Sequence, residues 1–180
     1  MPVPDFSPGE VLTAAAMDSI GLWLVKSQTI GTGVSSVTVT DAFSADYDNY
    51  KIIVSGGVGS AAGSLALQLG ATASGYYAGY SRVAFATGAA ANLNDNNAAS
   101  FVRAGGYNTG ALVLNLDVLA PFLTVNTTIF GQSVTPQTAS SGGAVSGFLN
   151  DSTSYTAFTL LAAAGQTITG GVIRCYGYRN

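Results

Sequence analysis

The chain has 180 residues, of which 48% are hydrophobic and only 8% charged, and its formal net charge is −3. Six Lys and Arg are too few for the clustered cationic surface that duplex nucleic acid needs. With no His and a single Cys, the chain has no Ser-His-Asp triad, Cys-His dyad, His-based metal site or intrachain disulfide.

Residues 1–20 differ from the rest. Pro2, Pro4 and Pro8 stiffen an extended start, and Ser7-Pro8-Gly9-Glu10 reads as a turn or helix entry. Thr13 is placed to cap one or two turns of helix over Thr13–Asp18, which Gly21 ends. After Gly21 the apolar period changes to two. Trp23–Gln28, Val34–Val39 and Tyr50–Val54 read as strands, followed by Ser64–Leu69 with three Leu on one face and by Tyr80–Ala86. Ala111–Val118 sets Leu112, Leu114, Leu116 and Val118 against Val113, Asn115 and Asp117. Phe122–Phe130, Ala144–Leu149, Tyr155–Leu161 and Ile168–Tyr178 complete a set of ten. Gly56–Gly63, Thr87–Ser100 and Pro136–Gly143 read as loops, and the stretch Gly75–Tyr80 as a tyrosine-bearing loop.

Many aromatics and β-branched residues argue for a packed chain rather than a disordered one. Short alternating strands with turn residues between them predict an all-β fold: one antiparallel β sandwich of jelly-roll type over residues 21–180, carrying a short N-terminal arm and helix over 1–20. The surface is Ser, Thr, Asn, Gln and Gly rather than charge, which suits a protein that is assembled into something larger. Val118–Asn150 contains no charged residue, but Pro121, Pro136 and its polar side chains break any apolar run of about 18 residues, so no membrane insertion is expected. The first residues lack the basic start of an export signal, so folding in a cytoplasm is expected.

Chemistry-bearing clusters are few. Asp41, Asp46 and Asp48 have a spacing compatible with calcium, yet the Gly and distant Glu of a calcium loop are missing, and a turn before Tyr50 accounts for Asp48-Asn49. Asn94–Asn97 reads as a solvated loop in the same way. A glycosidase pair would have to come from eight scattered Asp, Asp117 being the least ordinary, because Glu10 is the only Glu. Gly56-Gly57-Val58-Gly59 lacks the Lys-Ser/Thr and helix of a phosphate loop. No catalytic residue, cofactor or metal is therefore expected. Tyr76, Tyr77 and Tyr80, flanked by Gly75 and Gly79, are the candidate contact residues, because tyrosine rings stack on sugars and adapt to partners. The competing reading for them is core or subunit packing. Cys175 is expected to point inward and Arg174 to meet an Asp of its own or a neighbouring chain.

The run Phe6-Ser7-Pro8-Gly9-Glu10-Val11-Leu12-Thr13-Ala14-Ala15-Ala16-Met17-Asp18 resembles a segment near the start of tailed-bacteriophage fibre and minor structural proteins. Gly21–Lys26, Tyr47–Ile52 and the closing Ile168–Tyr178 are similar to small phage virion proteins of minor-tail, tail-fibre or head-fibre type. Ala16 departs from the Asn or Asp usual there. The resemblance implies a virion protein that docks through residues 1–20, with Phe6, Leu12 and Met17 as apolar anchors onto other virion proteins, and a homotrimeric body. It brings no catalytic residues. The expected function is a non-enzymatic tail-tip or tail-fibre component that touches a host-surface glycan. The alternatives are a capsid decoration or head-fibre protein and, more remotely, a glycan-degrading enzyme.

Overall fold

A computed structural model of the protein describes residues 21–135 and 141–178. Among these residues there is no helix, and fourteen strands follow one another. They are β1 (Trp23–Thr29), β2 (Ser36–Val39), β3 (Asn49–Ser55), β4 (Val58–Gly59), β5 (Gly63–Leu69), β6 (Tyr76–Ala84) and β7 (Ala90–Ala98). Then come β8 (Phe101–Tyr107), β9 (Leu112–Leu119), β10 (Thr128–Val134), β11 (Ser141–Leu149), β12 (Phe158–Leu161), β13 (Ile168–Thr169) and β14 (Val172–Tyr178). The short helix and the anchors Phe6, Leu12 and Met17 lie outside the described residues.

Every pairing is antiparallel, and the strands form a β sandwich. The wide layer runs β1-β14-β3-β9-β10-β11-β6-β7, and the narrow layer runs β2-β12-β5-β8. The two are joined at one corner, where β8 turns into β9 and Gly106 and Tyr107 pair with Val113 and Leu112. The period of two decides what lies between them. Leu65, Leu67 and Leu69 of β5 and Phe158 and Leu160 of β12 point inward from the narrow layer. Ile52, Val54, Leu112, Leu114, Leu116, Val118, Ile129 and Ile173 meet them from the wide layer. Phe43 wedges between the layers, edge-on to Tyr50 at 4.8 Å and tilted against Phe158 at 5.7 Å. Burying a side chain of this size contributes about 1.5–3 kcal/mol, so this shared core holds the layers together.

Several boundaries differ from the sequence expectation. Thr87–Ser100 is not a loop: most of it is β7, an edge strand whose Leu93 lies opposite Tyr80. Its polar residues are tolerated because an edge strand at the sandwich margin has little to bury; Asn92, Asn94 and Asn96 are exposed. Gly75–Tyr80 is likewise the start of β6, and Ser141–Gly143 begins β11. In Phe122–Phe130 the strand starts only at Thr128, because Ala120 takes a left-handed φ of 58° and Leu123 N–H closes a turn on its carbonyl. The expected last strand breaks at Gly170 and Gly171, with φ of 69° and 88°. There two backbones cross: a Cβ on Gly57 would collide with the Gly170 carbonyl, and one on Gly171 with that of Gly56. Gly57 and Gly171 therefore serve close backbone approach, and the segment runs into the two-residue strand Val58–Gly59 rather than a helix.

Candidate ligand groove on the outer sheet face

The alternation of β6 sorts its tyrosines. Tyr76, Ala78 and Tyr80 face the core, and Tyr77, Gly79 and Ser81 face outward. Tyr76 is fully buried, edge-on to Phe101 of the narrow layer at 4.9 Å. Its hydroxyl accepts from Leu69 N–H at 2.8 Å and donates to the Thr72 carbonyl at 3.1 Å. Burial pushes that hydroxyl up to about 12. Tyr80 is buried too and donates to the Ser133 carbonyl at 3.2 Å. Neither ring can offer a face to a ligand, so the expected contact role of Tyr76 and Tyr80 is corrected: both are core residues. Tyr77 alone of the three reaches the surface.

There it meets aromatics that the sequence pattern did not single out. Tyr77 lies opposite Phe148 of β11, and the rings stack with centroids 5.2 Å apart and planes 15° apart. Two residues along the same strands, Gly79 lies opposite Ser146, and Ser146 opposite Phe130 of β10. The two rows are about 7 Å apart, from a rise of about 3.4 Å per residue. Tyr77 and Phe148 form one wall, Gly79 and Ser146 a low floor, and Phe130 an end wall. Phe130 is 49% and Phe148 41% exposed. Asn126 and Thr128 add polar rims to this open groove of about 600 Å³. Asp95 also lines it, but its carboxylate is turned inward, 8% exposed, to pair with Arg103 and accept from Val102 N–H. The groove thus offers ring faces, hydroxyl and amide groups, and no uncompensated charge. The signal for Phe130 and Phe148 was in the alternation: once Ile129 and Leu149 point inward, their neighbours must point out.

On the far side of Phe130 lies a second hollow of about 380 Å³, lined by Lys51, Asn115, Asp117 and Gln132. Lys51 Nζ donates to both Asp117 oxygens at 3.1 Å. Asp117 therefore serves an ion pair within the sheet. The other candidates are placed apart from the groove. Asp41 turns to Lys26 at 3.7 Å, and Asp46 accepts from the Ser44 hydroxyl. Among the described residues no three His, Cys, Asp or Glu gather in a metal-binding group. Cys175 points inward as expected, with its thiol pushed up to about 12 by burial. Within the chain, Arg174 meets the Ser55 hydroxyl at 3.1 Å and not an Asp.

No family model matches the chain, and neither the curated proteins nor the solved structures give a match.

Proposed function

We propose that the chain is a non-enzymatic structural protein of a tailed-bacteriophage virion, a tail-tip or tail-fibre component whose sandwich touches a neutral glycan on the host surface. The observation that carries the contact role is the groove bounded by Tyr77, Phe148 and Phe130. The C–H face of a pyranose ring is apolar and flat and lies well against an exposed aromatic ring, while its hydroxyls reach Asn126, Thr128 and Ser146. An uncharged lining favours a neutral sugar over a sialic acid or a phosphorylated one, because no free cation is there to offset the anion's desolvation. Residues 1–20, with Phe6, Leu12 and Met17, are assigned the docking role that the resemblance implies.

The strand order is compatible with a viral setting. Removing the β6–β7 and β10–β11 hairpins and the short β4 and β13 leaves β1-β14-β3-β9 facing β2-β12-β5-β8. In chain order that fits the eight-strand arrangement of a jelly roll, an architecture of capsid, lectin and cupin domains. Both hairpins extend the wide layer, and the groove is built on them. Fold alone does not assign the role, so the groove has to.

The test is Tyr77→Ala with Phe148→Ala in the full chain. Both side chains face outward, so the fold persists, and binding to host cells and to immobilised neutral glycans drops at least about tenfold. Unchanged binding refutes the contact role. The decoration reading has its own support. Leu24, Val83, Val113, Phe130 and Phe148 are all exposed on the outer face of the wide layer, which suits burial against a neighbouring subunit. Copy number in purified particles separates the two: a few per virion supports the tail, and a ratio near that of the capsid protein supports decoration.

A further inference from the structure

Among the described residues the wide layer ends in β7, which pairs with β6 on one side only. An open strand edge is a row of unpaired backbone donors and acceptors, and proteins guard such edges with Lys, Pro, bulges or brevity. The other margins of this sandwich are guarded. β1 is bulged between Leu24 and Lys26, and the Gln28 side chain donates across the margin to the Thr38 carbonyl. β2 has only four residues, and β8 is continued by β9. β7 has nine residues and none of Lys, Arg, Pro or Gly. Its single charge, Asp95, is turned inward to Arg103. Its register with β6 shifts only beyond Asp95, so Ala90–Asp95 is a regular edge with no charge on its exposed face.

The backbone phase of that edge follows from two bonds. Ala84 N–H donates to the Ala89 carbonyl at 2.9 Å and the Ala84 carbonyl accepts from Gly88 N–H at 2.8 Å, so Ala84 spends both backbone groups on the β7 side and marks a hydrogen-bonded position of the ladder. Such positions alternate along an antiparallel ladder. Ala91, Leu93 and Asp95 therefore spend their backbone groups on β6, and Ala90, Asn92 and Asn94 direct theirs to the open side.

We propose that β7 pairs antiparallel with β7 of a second copy of this chain, about a two-fold axis at Leu93. In this register Asn92 and Asn94 exchange backbone hydrogen bonds with Asn94 and Asn92 of the second copy. Their side-chain amides meet on the outer face. On the inner face Leu93 meets its own symmetry mate, and Asp95 faces Ala91, so no like charges oppose each other. An axis at Asn94 would set Leu93 against Asp95 instead. The guarded β1 margin disfavours head-to-tail pairing, which leaves the self-complementary contact. The pair carries the wide sheet across the joint and sets two Tyr77 grooves on one continuous face, where a repeating glycan would engage both. The pairing itself does not depend on the glycan reading.

The experiment is the mass of the full chain in solution, measured by light scattering over a dilution series, with two variants. The expected mass is that of two chains at micromolar concentration. Asn94→Pro removes an N–H that the protomer does not use, so the unfolding midpoint stays unchanged when both proteins are diluted to single chains, while dissociation of the pair becomes at least about tenfold easier. Leu93→Cys sets two thiols at a non-hydrogen-bonded pair, with Cα atoms about 4.5 Å apart and within disulfide reach. Cys175 is fully buried, so the new thiol is the reachable one, and mild oxidation should link the chains rapidly. The two-fold pair departs from the homotrimer that the resemblance implies: a mass of one chain, or of three, overturns the proposal, and so does a dimer in which Leu93→Cys fails to cross-link.

Discussion

Tyr76 and Tyr77 are neighbours in the chain and share a strand, yet they belong to different parts of the molecule. Tyr76 faces the interior, with its ring against Phe101 and its hydroxyl tied to Leu69 and Thr72. Tyr77 faces outward, with its ring flat on Phe148 beside a floor of Gly79 and Ser146. The same side chain is structural on one face and available on the other, and only the phase of the strand decides which. Inside, an unmatched polar tip keeps its desolvation cost, so the Tyr76 hydroxyl is tied to two backbone groups. Outside, solvent matches whatever the sheet leaves free, so rings and amides there are released for recognition.

The sharpest way to break this contrast is truncation on each face. Tyr76→Ala should destabilise the protein by about 3–5 kcal/mol, from lost burial and the cavity left under Phe101. Tyr76→Phe isolates the hydroxyl and should cost about 1–3 kcal/mol, since the buried Leu69 N–H loses its acceptor. Tyr77→Ala should cost no more than about 1.5 kcal/mol, the scale of one aromatic pair. Urea unfolding of the three variants decides it. Equal losses at the two positions would mean that the outer face contributes as much to stability as the inner.

The contrast also marks what could be read from the residues. Tyr50–Val54, Ser64–Leu69 and Ala111–Val118 were legible within a residue or two, because alternating or β-branched runs bury one face whatever their partners. β7 was not legible. Its Asn-rich run resembles a loop, and it becomes a strand because β6 lies beside it in the assembled sheet. The phase of Gly75–Tyr80 was hidden for a related reason. Tyrosines occupy both parities there, so local pattern cannot say which face is buried, and pairing with the distant β11 settles it. Phe130 and Phe148 were accessible in principle, since Ile129 and Leu149 fix the parity on their strands.

A second prediction sharpens the inner face through pH. Burial raises the hydroxyls of Tyr50, Tyr107 and Tyr155 as well as that of Tyr76, which it pushes to about 12. Unfolded tyrosine titrates near 10. The folded state therefore favours the neutral form: this contribution is fully present below about pH 10 and is lost as pH rises toward about 12. For Tyr76 the shift corresponds to about 2–3 kcal/mol. The Cys175 thiol, also pushed to about 12, adds a loss that begins near pH 9. Stability measured from pH 8 to 12 should fall steeply above 10, together with the rise of tyrosinate absorbance, and Tyr76→Phe should make that fall shallower. A flat profile to pH 11 would contradict the burial of these hydroxyls.

The smallest effect belongs to the outer face. Lys51 and Asp117 are cross-strand neighbours on β3 and β9, and the ammonium bridges both carboxylate oxygens at 3.1 Å. The geometry is good, but the side chains keep 24% and 35% of their exposure, so water screens the pair. A double-mutant cycle with Lys51→Met and Asp117→Asn should return a coupling of about 0.2–1 kcal/mol that shrinks with added salt. The carboxylate has a second effect. After burial, it is what pushes the Tyr178 hydroxyl upward, so Asp117→Asn should let Tyr178 ionise at lower pH than in the parent protein. A coupling above about 2 kcal/mol would place the pair in the regime of desolvated charges. The wall beside Phe130 would then be packed like the interior, and the outer face would lose the solvent-matched character that frees Tyr77 and Phe148 for a ligand.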